Sequence, residues 1–157
     1  MAGVTNAIQG MKFVPIVHPQ AIKDNLDWVG SINLNPVKVD TVGPGGVKYN
    51  AALVVFWLGE TDVAIAKMAV LHSDDDTTGN FVPISGLDWV GNYPGANDDN
   101  KLYAAKIDLR GKKRYLAIDF RAGNGTVGTY AVAFVVLYDS TTIGTAEAMG
   151  LAELRSA

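Results

Sequence analysis

Residues 102–121, LYAAKIDLRGKKRYLAIDFR, constrain the fold more tightly than any other stretch of the chain. Two runs of alternating apolar and polar residues flank a glycine and a knot of cations. Period-two alternation marks a half-buried strand, because successive side chains point to opposite faces. With Gly111 and Lys112 as a two-residue loop, Leu109 faces Arg114, Ile107 faces Leu116, Ala105 faces Ile118 and Tyr103 faces Phe120. The alternate positions oppose Asp108 to Tyr115, Lys106 to Ala117, Ala104 to Asp119 and Leu102 to Arg121. One face is apolar and the other mixed, and Gly111 stands where a type II′ turn requires glycine. The expectation is an antiparallel hairpin whose slip by one residue would press Lys106 and Asp119 into the core.

Strand signals recur at 11–17, 37–42, 47–58, 63–72, 81–85 and 129–138. Pro15 suits the first of these to an edge or an extended arm. The acids agree with strands and turns: thirteen are Asp, a turn former, and three are Glu, a helix former. The expected fold is all-β, an antiparallel β-sandwich or jelly roll of about eight strands, with extended N- and C-terminal arms. One domain accounts for the 157 residues. The expected division is an arm at 1–20, the sandwich at 21–138 and a tail at 139–157, with a short helix possible in the tail after Thr145. Residues 1–10 lack the basic start and apolar centre of a secretory signal, so assembly in a cytoplasm is expected. No apolar run approaches the roughly 20 residues that span a bilayer, so no membrane partner is expected.

Few residue types suited to catalysis are present. The chain has no cysteine and two histidines, which excludes thiolate chemistry, disulfides and Cys-based metal sites. A net charge of −3 provides no global basic field for nucleic acid. His72, Ser73 and Asp74 are adjacent, and neighbours on a strand face opposite ways, so they form no triad. Glu60 and Asp62 have the spacing of a chance carboxylate pair. The run GNGTVG at 123–128 fits a dinucleotide fingerprint in letters only, because a strand follows where a helix is needed. It reads as a tight glycine turn. Asp74–Asp76 with Thr78 and Gly79 imitates a calcium loop but has Ser85 where the bidentate Glu belongs. That loop and Asp98–Asp99 are open both to a hard cation and to the reading of solvated connections. No catalytic residue, metal or cofactor is assigned.

Two surfaces remain. Arg110, Lys112, Lys113 and Arg114 form a basic tip that could hold a phosphate or an acidic partner, or be merely solvated. Trp28, Trp89 and Tyr93 lie in turn-like segments and could be platforms for a sugar ring or plugs in the corners of the sandwich. The string LDWVG occurs twice, at 26–30 and 87–91, and reads as two similar corners. Trp57 lies in an apolar strand and is expected in the core.

The run from residue 62 to residue 138 resembles small all-β head proteins of tailed bacteriophages, the decoration or cement proteins that bind outside the capsid lattice. The likeness rests on Lys112-Lys113-Arg114-Tyr115-Leu116, on the turn Ala122-Gly123-Asn124-Gly125-Thr126, and on Gly128-Thr129-Tyr130 opening the last strand. It covers about half the chain. The resemblance implies a non-enzymatic protein on the virion surface that bridges subunits of the major capsid protein as a homo-oligomer, a trimer before a dimer. It also implies arms that reach neighbouring coat subunits. Met11, Lys12 and Phe13, with the basic tip, are the candidate partner-binding residues. The alternative is a carbohydrate-binding sandwich module that uses Trp28, Trp89 and Tyr93.

Overall fold

The structure, a computed structural model, describes residues 11–42, 46, 48–138 and the backbone of 153–156. It is an all-β sandwich of two sheets. The strands are β1 (Lys12–Ile22), β2 (Val39–Asp40), β3 (Ala51–Thr61), β4 (Lys67–Ser73), β5 (Val82–Asp88), β6 (Leu102–Asp108), β7 (Tyr115–Arg121), β8 (Thr129–Tyr138) and β9 (Glu153–Ser156). The first sheet runs β1-β8-β3-β6-β9 and the second β2-β7-β4-β5. All pairings are antiparallel except that of the short β9, which lies parallel to β6. Each of the eight expected strands is present. Among the described residues no helix is long and apolar enough to cross a membrane.

The core lies between the sheets. From the first sheet it takes alternate residues such as Val54, Phe56, Ala105, Ile107, Ala133 and Val135. From the second it takes Met68, Val70, Leu116, Ile118 and Phe120. Phe120 is its aromatic centre: Trp28 stacks on it at 4.2 Å and Phe56 meets it edge-on at 5.1 Å.

The hairpin expected over 102–121 is not a hairpin. β6 pairs with β3 and β9, and β7 pairs with β2 and β4, so the two strands lie in opposite sheets. The connection is an arch across one end of the sandwich. Its turn is closed by the Lys112 N–H on the Leu109 carbonyl at 3.0 Å, with Gly111 at φ +77° in the third position. A positive φ there is the type II requirement, not the type II′ one. The cause is plain in the pattern. Alternation decides which side chains point inward, and Tyr103, Ile107, Leu116 and Phe120 point inward in either arrangement. It does not decide whether their strands share hydrogen bonds or face each other across the core.

The expected N-terminal arm also needs correction. Residues 12–22 are an edge strand on β8, with Lys12 opposite Leu137 and Ile22 opposite Thr129, so the sandwich begins before residue 21. Ile16 and Val17 are buried, and this apolar pair anchors the strand. The register breaks between Pro15 and Val17 and again between Val17 and Gln20. Prolines and bulges of this kind blunt an exposed edge against further strand addition. The remainder of the arm, residues 1–10, and the tail helix expected after Thr145 lie outside the described residues.

The second sheet holds a carboxylate whose ionisation opposes folding. The Asn33 amide donates to both Asp119 at 3.1 Å and Asp27 at 3.2 Å, which brings two acids together. Burial, and then the charge of Asp27, raises the pKa of Asp119 above the usual carboxylate range. A folded pKa above the unfolded one gives stability that is complete below the unfolded value and is lost as pH rises through the folded value. Asp119→Asn should therefore melt higher than wild type near neutral pH, and the two should converge below about pH 4. Thermal melts across pH test this; equal melting at neutral pH would refute it.

Candidate functional site

One end of the sandwich gathers the candidate partner-binding residues. Lys12 opposite Leu137, and Ala51 opposite both Tyr138 and Asp108, align the start of β1 with the end of β6 and so with the arch. β1 and β2 border their sheets on the same side, and Lys12 is near enough to Asp40 on β2 to help lower its pKa. The larger cause is Arg114, which donates to Asp40 through Nε at 2.9 Å and Nη2 at 2.7 Å. The start of β1, Met11 to Phe13, thus lies at the same end of the sandwich as the basic tip, although some hundred residues separate them in sequence. Phe13 is 66% exposed.

The tip is less free than four cations suggest. Arg110 forks onto Asp108 at 2.9 and 2.7 Å and holds that carboxyl at about 2. Lys113 reaches Asp74 at 3.4 Å. Among the described residues Lys112 has no ion pair. A cleft of about 750 Å³ opens beside the tip, lined by Lys48, Arg110, Lys112, Arg114 and Asp74 among others. These bonds orient the guanidinium groups, while Lys112 makes no ion pair and adds its charge to what lowers the Asp108 pKa. The arrangement suits a weakly acidic protein surface.

The other candidates are used for structure. The Asp62 carboxylate accepts the N–H of Val127 at 2.6 Å and of Gly128 at 3.2 Å, and these bonds lower its pKa. A Cβ on Gly125 would lie 2.0 Å from Asp62 Oδ1, so glycine there makes room for the acid that ties the loop to the end of β3. Glu60 is exposed. His72 Nδ1 accepts the Lys113 N–H at 3.3 Å; burial first, and then Lys113 and Lys112, lower its pKa. In the acidic loop Asp75 accepts from the Thr77 N–H and the Asn80 amide. Asp98 accepts from the Gly95 N–H and Lys101, and Asp99 from the Thr61 N–H. Among the described residues no three His, Asp or Glu side chains cluster as metal ligands.

The aromatic platform is corrected in two directions. Trp28 and Trp89 are both fully buried and can offer no face to a sugar. Trp28 packs on Phe120, and Trp89 meets Phe56 edge-on at 5.7 Å, so the two LDWVG corners plug the sandwich. Tyr93 is half-buried, with its hydroxyl on Asp88 at 3.3 Å. Trp57, expected inside, is 52% exposed, because Phe56 and Leu58 take the inward positions of β3. The exposed rings are thus Phe13, Trp57 and Tyr130. No protein-family profile, curated protein or solved structure matches the chain.

Proposed function

We propose that the protein is a non-enzymatic decoration, or cement, protein of a tailed bacteriophage that binds outside the capsid and bridges subunits of the major capsid protein. The observation that carries this reading is that the start of β1, Met11 to Phe13, shares one end of the sandwich with the basic arch. An exposed aromatic ring and a cation that makes no ion pair, at one end of the fold, are the composition of a protein-docking patch. The prolines and bulges of the β1 edge favour docking through side chains over strand addition. On a repeated lattice, modest contacts suffice, because each oligomer engages several sites at once. In this reading the protein is a homo-oligomer, a trimer before a dimer, made in the host cytoplasm and carried on the virion surface.

Purified protein should add back stoichiometrically to expanded capsids of its own phage that lack it. The double variant Phe13→Ala/Lys112→Ala should bind about tenfold more weakly or worse, with an unchanged melting temperature. Folded wild-type protein that fails to add back would sink the reading. Add-back undiminished in the double variant would remove this end as the docking surface.

A further inference from the structure

The opposite end of the first sheet carries a second surface, on the face turned away from the core. Leu58 and Ala131 are directly opposite one another and both point inward, so Trp57 and Tyr130 point outward. Trp57 pairs with Val132, which sets Tyr130 on its diagonal, within reach of a large ring. Between them β3 has Gly59. A Cβ there would stand 3.1 Å from the Tyr130 Cβ, so any side chain would crowd the tyrosine and fill the gap. The result is an open hollow of about 270 Å³, lined by Trp57, Tyr130, Pro19, Gly59, Gln20 and Asn100 among others.

We propose that this hollow is a binding site for a neutral glycan, and that it takes one pyranose ring against Trp57 and Tyr130. Three features select that chemistry. Both aromatic residues are about half exposed, at 52% and 54%, as a stacking platform requires and as a core plug is not. Among the described residues that line the hollow none is charged, which disfavours phosphates, nucleotides and acidic sugars. Gln20 and Asn100 bring amides, which both donate and accept, as sugar hydroxyls do. The volume lies just below the roughly 300–1,000 Å³ of sites that enclose a drug-sized ligand, so it seats a single ring and leaves the rest of a chain outside. This site stands apart from the docking end and does not depend on the capsid reading.

Because Trp28 and Trp89 are fully buried, Trp57 is the tryptophan open to a quencher. The test is acrylamide quenching of the full chain, titrated with neutral oligosaccharides of glucose, N-acetylglucosamine, mannose and galactose. One of these should protect Trp57, with a Kd near 1 mM or tighter. Trp57→Ala should lose that binding, measured by calorimetry, while Trp57→Phe keeps part of it, and both should melt close to wild type. Protection that survives as ionic strength rises is expected for a neutral ligand. Three results would overturn the proposal: no protection by any oligosaccharide, protection by nucleosides alone, or sedimentation showing that Trp57 is covered by a second copy of the chain.

Discussion

Trp28→Ala should cost about 3–5 kcal/mol of folding stability, the range for deleting a large buried aromatic. Trp28 is fully buried and stacks on Phe120 at 4.2 Å with planes 19° apart, and its backbone N–H donates to the Phe120 carbonyl at 3.3 Å. Truncation empties the volume beside the aromatic centre and strips Phe120 of one of its two ring partners. For a chain of this size each kcal/mol is about 2–4 °C in melting temperature, so a fall of roughly 10 °C is expected. Trp57→Ala is the matched control. Half of that ring already faces solvent, and its loss should cost about 1 kcal/mol or less. Denaturant melts of the two variants separate plug from platform. Equal destabilisation would mean that the inward and outward assignments of these tryptophans are wrong.

Gly30→Ala should be nearly as damaging, at about 3 kcal/mol or more, for a backbone reason. Gly30 has φ +104°, and a Cβ there would fall 1.9 Å from the Ile16 carbonyl oxygen of β1. Its own N–H bonds the Leu34 carbonyl, and its carbonyl accepts from Val37, so the corner cannot turn away without breaking both bonds. The second copy of LDWVG provides the comparison. Gly91 has φ +80° and no atom within 4 Å of the added Cβ, so Gly91→Ala should show only the cost of the left-handed backbone, about 1–2 kcal/mol. Gly79 has neither constraint and should tolerate alanine within about 0.5 kcal/mol. Chemical denaturation of the three variants should rank them Gly30, Gly91, Gly79. A Gly30→Ala protein as stable as Gly91→Ala would show that β1 does not press against the corner.

The sequence and the structure agree most where local chemistry acts alone. Each expected strand forms, and the glycine turn after Arg121 is required in earnest: a Cβ on Gly123 would lie 2.2 Å from the Ala64 carbonyl oxygen. They part where a pattern admits two three-dimensional answers. Residues 102–121 alternate equally well as a hairpin and as an arch, because a side chain buried beneath its own sheet and one buried across the sandwich obey the same period. In VVFWL at 54–58 the run is apolar throughout, so alternation cannot say whether Phe56 or Trp57 faces in. A signal did exist in β8, where Ala131 and Ala133 alternate with Tyr130, Val132 and Phe134. Small residues inside and large ones outside place Tyr130 on the surface, and the pairing of β3 with β8 then carries Trp57 with it. The meeting of Lys12 with Arg114 at Asp40 has no local signature, since it depends on which strands border each sheet.

The place of β8 between β1 and β3 also sets the order of events during synthesis. Lys12 pairs with Leu137 and Ala51 with Tyr138, so two early strands wait for a third that leaves the ribosome last among them. The first sheet therefore cannot zip from the N-terminus as the chain emerges. Until β8 has emerged, β1 lacks its partner strand and β3 has only β6 beside it. Such non-local closure places folding in the millisecond-to-second range of β-sandwiches.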